Sequence, residues 1–321
     1  MGLASGNCTL LGAWQTWATP LWVVAALAAG ALAVLYAVSF LVRLAAPKVA
    51  AIAKVTAKEA MAQPLFYLLI ALGIFAILLF PFLSYNTFGE DVKMLKAEGL
   101  TLIKILGIIL ALWTASVSIA DEIEGRTALT LLSKPVGRRQ LIVGKFLGIL
   151  VPVAILFIIL SVFFLASISY KVVYDARETS NADPTPENCW TEGCGAQMLQ
   201  ITPGLALAFM ETVILASIGV AISTRLPMLP NLVICASIYV LGHLVPMLVQ
   251  SSVGKFELVK FMGRFLAALL PMFDYFSVEP AISADQVVPL VYLAWAAVYC
   301  VLYTAVAMLL ALLLFEDRDL A

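Results

Sequence analysis

Seven nearly uninterrupted apolar stretches, each close to the length of a bilayer crossing, limit this chain to very few folds. A spanning helix needs about 20 mostly apolar residues to cross roughly 30 Å of hydrocarbon. Leu21–Val42, Leu65–Leu83, Thr101–Ala120, Leu141–Ser167, Pro203–Ser223, Asn231–Val249 and Val288–Phe315 all qualify. Backbone groups in lipid must bond within the segment, so each stretch is predicted to be a helix. The alternating pattern of a membrane barrel is absent. Composition agrees, with 63% hydrophobic and 12% charged residues and a mean hydropathy of +1.03. Soluble domains carry about 45–50% apolar and about 25% charged residues. The expected class is therefore all-α, a polytopic helical membrane protein with about seven transmembrane helices. An eighth apolar run, Leu258–Met272, is short and broken by Lys260 and Arg264, which suits a re-entrant or interfacial helix on the outer side. A net charge of −1 leaves no basic footprint for nucleic acid.

Lys and Arg near span ends set orientation. With the segment after the first span inside, the first two inner connections hold Arg43, Lys48, Lys54, Lys58, Arg126, Lys134, Arg138, Arg139 and Lys145. Lys93, Lys96, Lys104, Lys171, Arg177, Lys255, Lys260 and Arg264 then count as outer. The expectation is an outer N-terminus and a cytoplasmic C-terminus. The first twenty residues lack a basic signal-peptide region, and Gly6 stands where a myristoylation motif wants Ser or Thr.

The polar residues narrow the function. Pro47–Gln63, read as a helix, sets Val49, Ile52, Ala53 and Ala60 on one face and Lys54 and Lys58 on the other, a pattern for a helix lying along the inner surface. In the longest polar outer segment, Cys189 and Cys194 have four residues between them. On an oxidising side they suit a small disulfide loop, with free thiols or a metal pair as alternatives. Cys235 and Cys300 sit in spans and read as small apolar fillers. Glu211 lies mid-span, where a carboxylate marks either a substrate or proton path or a hydrogen-bonded contact between helices. His243, also in a span, reads as an interhelical hydrogen bonder.

The connection from Asp121 to Arg139 is the most unusual. Glu122 and Arg126 are spaced i,i+4 in the favourable order. Thr127–Ser133 reads as two helical turns with Ala128, Leu131 and Leu132 on one face, stopped at Lys134 by Pro135. An apolar face flanked by charges is suited to docking a second protein, or to packing on the end of its own bundle.

On these residues the sequence resembles the type-2 ABC exporter permeases. The run Glu122-x-Glu124-Gly125-Arg126-Thr127, then Leu131-Leu132-Ser133-Lys134-Pro135-Val136-x-Arg138, then Gly144-Lys145-Phe146-x-Gly148 follows the order of elements in their first inner loop. Arg126 departs from it by separating Gly125 from Thr127. The resemblance implies a six-helix permease core over 47–321, preceded by an N-terminal segment and extra span over 1–46. It implies that Glu122, Glu124, Gly125, Thr127, Leu131, Leu132, Lys134, Pro135 and Arg138 form a coupling element seated on a separate ATP-binding cassette subunit. It further implies a second permease copy or a similar chain as partner, in a bacterial plasma membrane.

Neither Gly144-Lys145-Phe146 nor Gly254-Lys255-Phe256 completes a P-loop. No catalytic residues and no resident cofactor are expected here, with ATP and Mg held by the partner. An ion- or proton-coupled transporter using Glu211, or a membrane scaffold, are the competing readings.

Overall fold

The computed structural model describes residues 21–83, 91–124, 137–178, 194–250, 270–278 and 288–316, with Phe261, Phe265 and Ala281 as single positions. These contain eight α-helices and no strand. They are α1 (Leu21–Ala45), α2 (Pro47–Ala62), α3 (Pro64–Leu79), α4 (Asp91–Glu124), α5 (Arg138–Glu178), α6 (Cys194–Ser223), α7 (Met228–Gln250) and α8 (Leu290–Glu316). Short 3-10 turns follow α3 at Phe80–Phe82 and precede α8 at Phe273–Phe276.

Every apolar block of the sequence coincides with a helix. Six of them, α1, α3 with its 3-10 turn, α4, α5, α6 and α8, are long and apolar enough to cross a membrane. The described apolar part of α7 is shorter, Met228–Leu244. The chain is thus an all-α, multi-pass membrane protein. The run Leu258–Met272, expected as a re-entrant or interfacial helix, lies largely outside the described residues, and residues 270–278 carry a short 3-10 turn ahead of α8.

The helix ends differ from the apolar blocks in an informative way. α4 starts at Asp91, well before Thr101, and runs on to Glu124. It can do so because charged residues of its first turns, Asp91 and Lys96, have partners on α5 and α6. Lys171 Nζ lies 3.2 Å from Asp91 Oδ2, and Lys96 Nζ donates to Gln200 Oε1 at 3.1 Å. Lys96, Lys104 and Lys171 are therefore buried helix residues and not the outer-loop cations of the charge count. α5 spans 41 residues, about 60 Å at 1.5 Å per residue, so it reaches beyond the hydrocarbon. Pro152 in α5 and Pro203 in α6 sit inside continuous helices, which neighbouring helices make tolerable in spans.

The core lies where α4, α5 and α6 meet, around Ile103, Ala111, Ile149, Leu156, Leu160, Leu207 and Ile214. α1, α3 and α8 ring it and leave Tyr36, Phe75, Trp295 and Leu309 exposed. Lipid is as apolar as these side chains, so such faces need no protein cover. α4 runs antiparallel to α5 and parallel to α6, as the paired residues Lys171–Asp91 and Lys96–Gln200 require. Below, "loop end" means the end of the bundle where α4 gives way to residues 125–136.

Candidate functional site

The loop end of α4 is a hub of side-chain bonds. Pro64 disfavours helical geometry in the residue before it, and Gln63 is accordingly extended at φ −70° and ψ 138°. That breaks α2 from α3 at a corner. Trp113 Nε1 of α4 donates to Gln63 Oε1 at 3.1 Å and pins this corner. One turn on, the fully buried Asn231 of α7 donates from Nδ2 to Ser116 Oγ at 2.8 Å and to the Gly219 carbonyl at 3.2 Å. Two residues later, buried Lys145 of α5 donates to the Ser118 carbonyl and lies 3.2 Å from Ser118 Oγ. Trp113, Ser116 and Ser118 thus tie α4 to the α2–α3 corner, to α5 and to α7, and Asn231 joins α7 to α6 at the same level, close to where the described part of α4 ends at Glu124.

Helix α2 is held by absence of side chain. A Cβ on Gly144 would fall 2.8 Å from Ile52 Cβ, and one on Gly148 would fall 2.6 Å from Thr56 Cβ and 2.8 Å from the Ala53 carbonyl. Two glycines one turn apart let α2 and α5 approach backbone to backbone. The buried face of α2 is Val49, Thr56, Ala57 and Ala60, while Lys54 and Lys58 are exposed on the far side. The amphipathic reading of this helix therefore holds, with Gly144 and Gly148 as its seat.

The middle of the bundle carries a second polar group. Glu211 is fully buried, with Lys104 Nζ 3.7 Å from Oε2 and His243 Nε2 3.4 Å from Oε1. Lys104 lies 13 residues from Asp91 and 14 from Ser118, the ends of the span Asp91–Ser118, so each end is about 20 Å away. Intramembrane charges are costly and pair within bundles. Removing one member of a buried pair leaves the other uncompensated, at about 3–5 kcal/mol. His243 Nδ1 lies 3.1 Å from the Tyr239 carbonyl, so Nδ1 carries the donated proton. Nε2 then faces both Glu211 and Ser277 Oγ, the latter at 3.4 Å. His243 is thus an interhelical bonder, as its place in a span suggested.

Most of the residues expected to engage an ATPase lie outside the described residues. Glu122 and Glu124 lie in the last turn of α4, and Arg138 opens α5. Gly125, Thr127, Leu131, Leu132, Lys134 and Pro135 lie outside the described residues, as do Cys189 and its pairing with Cys194. Cys235 and Cys300 are buried free thiols in α7 and α8. Sequence reasoning missed Trp113, Ser116, Ser118 and Asn231 altogether, and quoted Lys145 without a role. Asn231 and Lys104 were findable as polar residues inside apolar stretches.

The family model described as ABC-2 family transporter protein matches residues 76–320, covering α4 to α8 and the end of α3. No curated protein matches the chain. With three quarters of its length matched, on a scaffold of membrane-crossing helices, the chain belongs to the ABC-2 transporter family as the membrane permease component of an ATP-binding cassette transporter, a component that associates with an ATP-binding cassette ATPase.

Proposed function

We propose that this permease exports a substrate by receiving ATP-driven motion from a separate ATPase through residues 121–139. Glu122, Glu124, Gly125, Thr127, Leu131, Leu132, Lys134, Pro135 and Arg138 form the docking element. The observation that carries the reading is the hub at the end of α4. A lever must be fixed to what it moves, and Trp113, Ser116 and Ser118 fix this helix to the α2–α3 corner, to α7 and to α5 immediately before the proposed docking element. Two permeases, alike or similar, and two ATPase subunits form the working unit, with ATP and Mg bound by the ATPases. The docking element faces the cytoplasm of a bacterial cell. Counting buried lysines apart removes Lys96, Lys104 and Lys171 from the outer side against Lys145 from the inner, which strengthens the inward bias of basic residues.

Co-purification with a candidate ATP-binding cassette ATPase from the same organism tests the reading. The expected result is a stable complex that Leu132→Glu or Glu124→Arg weakens by about tenfold or more in Kd, roughly the loss of one interface anchor. A complex indifferent to both substitutions and to Thr127→Trp removes the docking assignment.

A further inference from the structure

We propose that Lys104, Glu211 and His243 are positioning residues for transport, forming a buried polar tie rod that carries motion of α4 to the segment 270–278, which meets it near the middle of the bundle. The inference rests on the proposed docking of an ATPase at the end of α4, and adds to it the route by which that motion reaches the middle of the bundle and the turn ahead of α8.

The route is continuous in the structure. α4 is one helix from Asp91 to Glu124 with no proline inside it, so displacement at Ser118 reaches Lys104 without a hinge. Lys104 meets Glu211 of α6, and Glu211 meets His243 of α7. His243 touches the segment twice. Its Nε2 faces Ser277 Oγ at 3.4 Å, and its ring stacks on Phe273 with centroids 5.6 Å apart and planes at 20°. Phe273 is seated there because the neighbouring residue is Gly242, where a Cβ would fall 2.5 Å from the ring. The segment hangs from α8 on its other side, with the Met272 amide donating to Tyr299 Oη and Tyr292 Oη donating to the Tyr275 carbonyl.

The chemistry suits transmission better than cargo contact. Glu211 has no exposed surface and Lys104 almost none, so neither meets a passing molecule in this arrangement. A buried ion pair resists gradual separation, because each stranded charge lacks water. Helices joined by such a pair move together or part in one step, which is the behaviour of a two-state element. Ordinary packing of Leu and Ile on α4 against α6 would allow small sliding instead.

The test uses the full permease with its ATPase in nanodiscs and follows hydrogen exchange at residues 270–278, with and without ATP and vanadate. The wild type is expected to show a nucleotide-dependent change there. Glu211→Gln and Lys104→Met are expected to keep ATPase binding while this change falls about fivefold or more, and Lys104→Arg is expected to restore it relative to Lys104→Met. Variants that bind the ATPase and respond like the wild type overturn the tie rod and leave the docking proposal standing. A wild type that binds no ATPase overturns the docking proposal and the tie rod with it. Should the ion-pair variants fail to fold, His243→Phe decides the matter. It keeps the ring stack at a side chain 28% exposed, and an undiminished response in it overturns the proposal.

Discussion

A side chain at Gly148 has nowhere to go. On one side stands the Thr56 Cβ and on the other the Ala53 carbonyl, both belonging to the backbone and branch point of α2 rather than to a flexible tip. Gly148→Leu is therefore expected to push α2 off α5. Overpacking of this kind costs about 1–3 kcal/mol, to be read as a lowered melting temperature of the purified permease. Gly137, which meets nothing within 4 Å of a built Cβ, serves as the control, and Gly137→Ala should leave the melt unchanged. The spacing Gly144-x3-Gly148 was visible in the sequence, and its meaning as a close helix contact was accessible. Its partner was not, because nothing in Val49–Ala60 announces which helix it will lie against. The same holds for Glu211. That a mid-span carboxylate needs company is general chemistry, but Lys104 and His243 come from α4 and α7, and only tertiary packing brings them to it.

At the scale of elements, α4 differs from its neighbours in how it is fastened. Its apolar residues fill the core, yet the contacts that fix its register are polar and fall at intervals along its length. They are Asp91 and Lys96 at one end, Lys104 in the middle, and Trp113, Ser116 and Ser118 at the other. Lys145→Met keeps the length and apolar stem of the side chain while removing its hold on Ser118. It should cost about 1.5–3 kcal/mol, the range for a hydrogen bond to a charged group, and should lower permease-stimulated ATP hydrolysis more than it lowers the melting temperature of the helices. A calorimetric scan beside an ATPase assay of the reconstituted complex separates the two. An ATPase loss no greater than that of an equally destabilised variant such as Gly148→Leu would argue that Lys145 supports the fold and nothing more.

For the whole molecule, apolar patterning was enough to find seven of the eight described α-helices, because hydrocarbon leaves the backbone no other state, and α2 followed from its amphipathic face. Where helices end was harder. Thr101 looked like the start of a span because Lys93, Lys96 and Glu98 precede it, and only the bonds to Gln200 and Asp91's partner explain a helix that begins at Asp91. The family was legible through a resemblance carried by one connection, whereas the hub and the mid-membrane charges were legible only once the helices were assembled. The expected orientation has the N-terminus and residues 179–193 outside and Ala321 inside. A phosphatase joined at Ala321 should then be inactive and one inserted after Asp183 active, and the reverse pattern would turn the proposed docking element to the wrong side.

The pairing of Lys104 with Glu211 also bears on how the protein is made. α4 leaves the ribosome long before α6, and an ammonium at the middle of a lone helix meets lipid at a cost of about 2.5–3.5 kcal/mol. Glu211 alone would face the same resistance in turn. The Leu and Ile of each span offset that cost, so both helices can enter lipid separately, and the meeting of Lys104 with Glu211 then favours one pairing of α4 with α6 over others as the bundle closes.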